Sequence, residues 1–210
     1  MMLFQLAALA ALAAAAPSSL LAARQDTTGL AYKEFSTPSG ILYRIAIPEG
    51  ATAPFDIAFQ IVAPVRAGWA GIAWGGSMLN NPLSVAWPNG DTVTVTSRIA
   101  TDHAPPNAYA DSTITVLPGT TTNATHWTLD ALCSGCSKWA AGAINPSGSS
   151  RLSWAFSSRA VATPANPDSQ FAYHDGKGTV PFDFAAAQVA GFEEAVGGAV
   201  AEGEEAPATP

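Results

Sequence analysis

Apolar and polar residues alternate with a period of two through most of the chain. In GILYRIAIPEG, Ile41, Tyr43, Ile45 and Ile47 share one face, and PFDIAFQIVAP repeats the arrangement with Phe55, Ile57, Phe59 and Ile61. Such alternation marks a half-buried strand, because successive strand side chains point to opposite faces. WAGIAWGG is apolar on both faces, which predicts a central strand covered from either side. NGDTVTVTSRIA opens on Asn89-Gly90, a hairpin signal, and then sets Val93 and Val95 against threonines. STITVLPG, THWTLDALC, RLSWAFSS and TVPFDFAAA complete the strand-like runs, and no stretch between 30 and 185 carries a convincing amphipathic helix. The pattern predicts an all-β fold, a two-sheet antiparallel sandwich.

Both ends depart from this pattern. The first 23 residues carry no charged side chain, and LFQLAALAALAAAA is followed by Pro17 and two serines. That run is short and weakly apolar for a membrane span, so residues 1–23 are expected to be a secretory signal peptide, leaving no span after removal. From about Ala185 the composition shifts to alanine, glycine and glutamate. Residues 193–210 hold five glutamates and no basic residue, and are expected to form an acidic, flexible tail after a domain over 24–192; a short helix over 184–196 is the alternative, with little there to bury it. The net charge of −7 belongs mostly to this tail, and the chain has no basic cluster, which argues against nucleic-acid binding.

Secretion agrees with two further features. Asn123-Ala-Thr125 is an N-glycosylation sequon, and Cys133 and Cys136, the only cysteines, would pair in an oxidising compartment. Their CxxC spacing lies between two predicted strands, whereas a thiol oxidoreductase places it beside a helix, so a structural disulfide is the better reading. No GxSxG, HExxH or P-loop occurs. Met78, the only methionine beyond the initial pair, sits on a glycine-rich bend in GIAWGGSMLN. The three histidines are His126 in a strand-like run, His103 in the loop TDHAPPNAY, and His174 in the turn FAYHDGKG. Loop histidines are ordinarily just solvated. A thioether and an imidazole from two loops are also the axial pair of a six-coordinate haem, with glycines letting the backbone approach a flat ligand. Residue types alone leave both readings open.

Longer blocks carry more information. IVAPVRAGWAGIAWGGSMLNNPLSVAWPNG, TSRIAT with PPNAY, TTNATHWTLDALCSGCSKW, and LSWAFSS with NPDSQFAYHDGKGTVPFDFAAA follow in this order over roughly residues 30–190. Together they resemble the haem b cytochrome domain of fungal cellobiose dehydrogenases, an iron reductase domain of the DOMON-like group. The resemblance implies an immunoglobulin-like, DOMON-type sandwich with haem b at one end. It also implies that Met78 and His174 are axial ligands and that Cys133 pairs with Cys136. Position 103, which can be a propionate-binding tyrosine in related domains, is His103 here. Surrounding aromatics, Trp87 among them, would keep water from the macrocycle.

The implied role is that of a secreted, monomeric, single-electron carrier. A flavin dehydrogenase or small-molecule reductant would reduce it, and a copper polysaccharide monooxygenase or ferric iron would accept the electron, the latter amounting to iron reductase activity. The resembled enzymes continue into a flavin domain whereas this sequence stops at Pro210, so a stand-alone domain is expected, its reductant lying on another molecule or on a part of the protein missing here. The competing expectation is a carbohydrate-binding sandwich without haem, with Trp69, Trp139 or Trp154 exposed to stack on sugars.

Overall fold

The structure is a computed structural model that describes residues 28–205; the expected signal peptide over 1–23 and residues 206–210 of the expected tail lie outside the described residues. In chain order the first strands are β1 (Lys33–Ser36), β2 (Leu42–Pro48), β3 (Ile57–Pro64), β4 (Trp69–Ala73), β5 (Pro82–Asn89), β6 (Thr92–Ile99), β7 (Asn107–Ala108) and β8 (Thr113–Val116). They are followed by β9 (Thr121–Thr122), β10 (His126–Ser134), β11 (Lys138–Trp139), β12 (Gly142–Ala143), β13 (Ser149–Ser157), β14 (Gly176–Asp183) and β15 (Gln188–Val189), and then by one helix, α1 (Phe192–Glu205).

Two sheets result. The first runs β1-β2-β3-β10-β8, with β15 added to β2 and β9 to β10; the second runs β14-β13-β4-β5-β6-β7. All pairings are antiparallel except that of β15 with β2. The expected sandwich is therefore present, and the Asn89-Gly90 hairpin joins β5 to β6 with Gly90 at φ 61°, a conformation glycine takes without a steric penalty.

The alternating residues fill the space between the sheets. Ile41, Tyr43, Ile45, Ile47, Ile57, Phe59 and Ile61 meet Ala70, Ile72, Ala86 and Leu152 from the second sheet in one core. Cys133 and Cys136 form a disulfide within that core. The second sheet also buries its other face. Trp69 and Ala73 of β4, and Leu83, Val85 and Trp87 of β5, alternate with the core residues and build a separate apolar cluster on the outer side. This two-sided burial is what the continuous apolar run of β4 predicted, and β4 is indeed central.

One expectation is corrected. Residues 192–205, expected to belong largely to a flexible tail, form helix α1. Phe192, Val196 and Ala199 lie at helical spacing and are buried, and the first two pack with Leu30, Ala46 and Ala58. Alanines on the outer face of β2 and β3 leave a shallow seat that a glycine-rich helix can occupy, and Glu193 and Glu194 sit at its N-terminus, where the helix dipole favours acids. Replacing Phe192 with alanine should lower stability by about 3 kcal/mol or more, read as a drop in the thermal midpoint; an unchanged midpoint would return this segment to the status of a tail.

Candidate functional site

The outer face of the second sheet is the floor of the site. At its middle, Gly71 of β4 lies between Val85 of β5 and Ala155 of β13, so the surface is low there. A Cβ on Gly71 would meet a Val85 methyl at 3.2 Å. Trp69, Leu83, Val85 and Trp87 rise around this low patch, and Met78, Leu79, Ala155 and Phe171 pack against it.

Met78 reaches this face from the β4–β5 loop, beyond the Ala73 end of β4. That loop is rigidly built. The Asn81 side-chain amide donates to the Ser77 carbonyl at 3.0 Å, the Ser77 hydroxyl at 2.8 Å and the Leu79 carbonyl at 2.9 Å. Asn80 adopts φ 58°, and its N–H donates to the Ala100 carbonyl at 2.8 Å. The preceding glycines serve the chain itself. A Cβ on Gly75 would lie 1.8 Å from the Asn81 side-chain oxygen, and one on Gly76, at φ 78°, would lie 2.5 Å from the Arg151 Cβ. The double glycine thus lets the loop close on its own amide and on β13, which fixes where Met78 emerges.

The loop that carries His174 reaches the same face from the opposite end. Antiparallel pairing sets Ser157 of β13 against Trp69, and the Asp175 N–H donates to the Phe156 carbonyl at 2.8 Å, so the β13–β14 loop closes beyond the Trp69 end of β4. The two loops are separated along β4 by four strand steps, about 13 Å.

Side chains of the floor hold the His174 loop down. The Trp87 indole N–H and the Thr94 hydroxyl both donate to the Pro164 carbonyl, at 2.8 and 2.6 Å. Arg98 donates to the carbonyls of Pro167 at 2.6 Å and Ser169 at 3.2 Å, and the Trp69 indole donates to Ala172 at 3.0 Å. Phe171 rests on Trp69 and Trp87, with ring centroids 4.9 and 6.2 Å away.

His174 itself is half-buried, and the ring of Tyr173, which is 76 % exposed, lies 4.1 Å from it. Burial, and then the positive charge of Lys177, hold the imidazole below the ordinary histidine range, so its ring keeps a free lone pair at neutral pH. Next to it, Asp175 accepts from the Ser158 N–H at 2.6 Å, the Ser158 hydroxyl at 2.7 Å and the Ser157 hydroxyl at 3.1 Å. These hydrogen bonds hold its carboxyl below the usual aspartate value.

Met78 packs against the apolar floor and the loop that carries His174 is bonded to it; a thioether and an imidazole are a donor set that would suit haem iron. The structure brings Trp87 into this cluster, fully buried. His103 is exposed in the β6–β7 loop, which starts beside the Met78 loop at the bridge between Leu79 and Ala100. Asn123 is exposed in the turn before β10, its side-chain oxygen accepting from Thr125 and His126.

The tryptophans expected to be exposed for sugar stacking are not. Trp69 is 4 % exposed beneath Phe171, Trp154 turns into the sandwich over Gly178, and Trp139 lies over Gly75. Each ring is occupied by packing against its own chain. Arg98, Thr94, Phe171 and Asp175 were not foreseen. Only Arg98 left a trace in the sequence, as a charge among the threonines on the outward positions of β6.

Comparison with known proteins gives the family. The model described as the cytochrome domain of cellobiose dehydrogenase matches residues 24–194, and the chain belongs to that family. Over 162 residues it is 35 % identical to a pyrroloquinoline quinone-dependent pyranose dehydrogenase of Coprinopsis cinerea, an alignment covering 74 % of this chain and 22 % of that protein. The chain thus spans about a fifth of the length of the curated relatives it matches.

Among solved structures it resembles the cytochrome b domain of the Coprinopsis cinerea pyranose dehydrogenase, with TM-score 0.77, 31 % identity and coverage of 83 % of this chain and 92 % of that one. It also resembles the cytochrome domain of Myriococcum thermophilum cellobiose dehydrogenase, with TM-score 0.74, 25 % identity and coverage of 82 % and 92 %. Membership implies electron transfer. Among the described residues no helix is long and apolar enough to cross a membrane.

The Asp175 contacts set a pH dependence. A carboxyl with a depressed folded-state value stabilises the fold fully above its unfolded value, near 3.9, and this contribution is lost as pH falls through the lower folded value. Acid should therefore loosen the His174 loop below about pH 4. Asp175→Asn should already be looser at neutral pH and should lack that acid step in amide exchange of residues 158–175; a retained acid step would assign it to another group.

Proposed function

We propose that this chain is a haem b electron carrier in which Met78 and His174 are the axial ligands. The observation that supports the reading is that Met78 packs against one end of an apolar sheet face and the loop carrying His174 closes over the other, in a member of a cytochrome-domain family. When bound, haem b supplies a one-electron ferric/ferrous couple. The rest of the work falls to the protein. Met78 contributes a soft, neutral ligand that favours the ferrous state and raises the potential. His174, held neutral and anchored through Asp175, contributes the stronger σ-donor. Trp69, Leu83, Val85 and Trp87 would exclude water from the floor, and His103, in the loop that starts beside the Met78 loop, would offer a hydrogen bond to a propionate. With both axial positions taken by protein, the arrangement favours outer-sphere electron transfer over chemistry at the iron.

The donor fits a sugar dehydrogenase. Relatives include one named for cellobiose and one named for pyranose oxidation with a quinone cofactor, so a flavin or a quinone enzyme, or a small-molecule reductant, would serve. A copper polysaccharide monooxygenase or ferric iron is the proposed acceptor. Secretion is supported by the charge-free apolar start, and glycosylation at Asn123 by its exposed turn; the protein would act as a monomer.

Substitution separates the ligands. Met78→His should keep a six-coordinate haem and lower its midpoint potential, because a second imidazole favours the ferric state. His174→Ala should leave one protein ligand and lose haem on gel filtration. A potentiometric titration checks the first and the haem-to-protein absorbance ratio the second. An unchanged midpoint in Met78→His would make Met78 a packing residue and remove the main support for this assignment.

A further inference from the structure

Arg98 is a buried cation, 3 % exposed, on the outer face of β6. Among the described residues the only ion pair is Arg44 with Glu34, so no carboxylate neutralises Arg98 at contact distance. Its guanidinium donates instead to oxygen dipoles: Nε to the Thr96 hydroxyl at 3.0 Å, Nη1 to the Pro106 carbonyl at 3.4 Å, and Nη2 to the carbonyls of Pro167 and Ser169. Phe171 covers it, the ring centroid 6.0 Å from the guanidinium carbon.

A neutral amide could make bonds of this kind at a far lower desolvation cost, since taking an ion out of water is the expensive part. The position of the charge gives a reason for keeping it. Arg98 pairs in register with Leu83, which belongs to the cluster that Met78 packs against, and it clamps the segment that ends in His174. It therefore stands beside the floor between the two ligand loops.

We propose that Arg98 is a fixed positive charge that raises the reduction potential of a haem held by Met78 and His174, while its hydrogen bonds position the His174 loop. This rests on the haem reading above. The sign follows from Coulomb's law. Ferric iron carries one more positive charge than ferrous iron, so a nearby cation disfavours the oxidised state more, and burial keeps the interaction from being screened as surface charges are.

The test is an optically monitored potentiometric titration of the haem-loaded protein at low and high salt, for wild type, Arg98→Lys and Arg98→Gln. The expected result is a lower midpoint in Arg98→Gln at both salt concentrations, a midpoint close to wild type in Arg98→Lys, and six-coordinate low-spin spectra in all three. Equal midpoints in all three, or equal shifts in both variants, would overturn the electrostatic claim. So would loss of the six-coordinate spectrum in both variants, which would leave Arg98 a clamp alone.

Should Arg98→Gln fail to fold, Arg98→Met, which keeps an unbranched stem and removes the charge, takes its place with the same expected fall at both salt concentrations, and a wild-type midpoint there would overturn the proposal. Wild-type protein that takes up no haem would instead overturn the haem assignment itself, a separate outcome.

Discussion

The outer faces of β4 and β5 cannot be left to water. Trp69, Leu83, Val85 and Trp87 together present an apolar surface that only a second layer of protein or a flat hydrophobic ligand can cover. The first sheet is already committed on the opposite side, so covering falls to the long β13–β14 connection. Such a connection would ordinarily lie loose, because a covered loop must satisfy its own carbonyls. Here the floor supplies the donors: the two indoles, Thr94 and Arg98 serve Pro164, Pro167, Ser169 and Ala172. The need to cover the floor and the placement of His174 are one problem with one solution.

The Met78 side is solved by different means. No long segment is available between β4 and β5, so the turn is made stiff rather than pinned from below. Gly75 and Gly76 admit the Asn81 side chain and β13 at distances no other residue would tolerate, and Asn81 satisfies the turn from within. One ligand loop is therefore held by its own compactness and the other by the sheet beneath it. As the ligands proposed above, Met78 and His174 would both be restrained before iron arrives, would lose little freedom on binding it, and would move little when the electron does.

Much of this was legible in the sequence, and the limits have physical causes. Alternation gave the strands because one face of each is core, and the double-sided burial of β4 showed in its unbroken apolar run. The pair Met78 and His174 could be singled out by chemistry, but periodicity says nothing about which loops meet, and only the resemblance to a family joined them. A short helix near 184–196 could be entertained, but what would bury α1 could not, because its seat is made of Ala46 and Ala58, which read as unremarkable outward positions of strands. The tryptophans were misjudged as exposed because a strand ring facing outward can be covered by a loop distant in sequence, as Trp69 is by Phe171. Arg98 was passed over for the same reason.

The central claim is that iron on this face is bound by one sulfur and one imidazole nitrogen. Near-infrared magnetic circular dichroism of the ferric, haem-loaded protein reads that ligand pair directly, since the porphyrin-to-iron charge-transfer band of a low-spin haem moves with its axial donors. The account predicts a band at the energy of methionine–histidine ligation. A band at the energy of bis-histidine ligation, or a high-spin spectrum with one axial position free of protein, would contradict it.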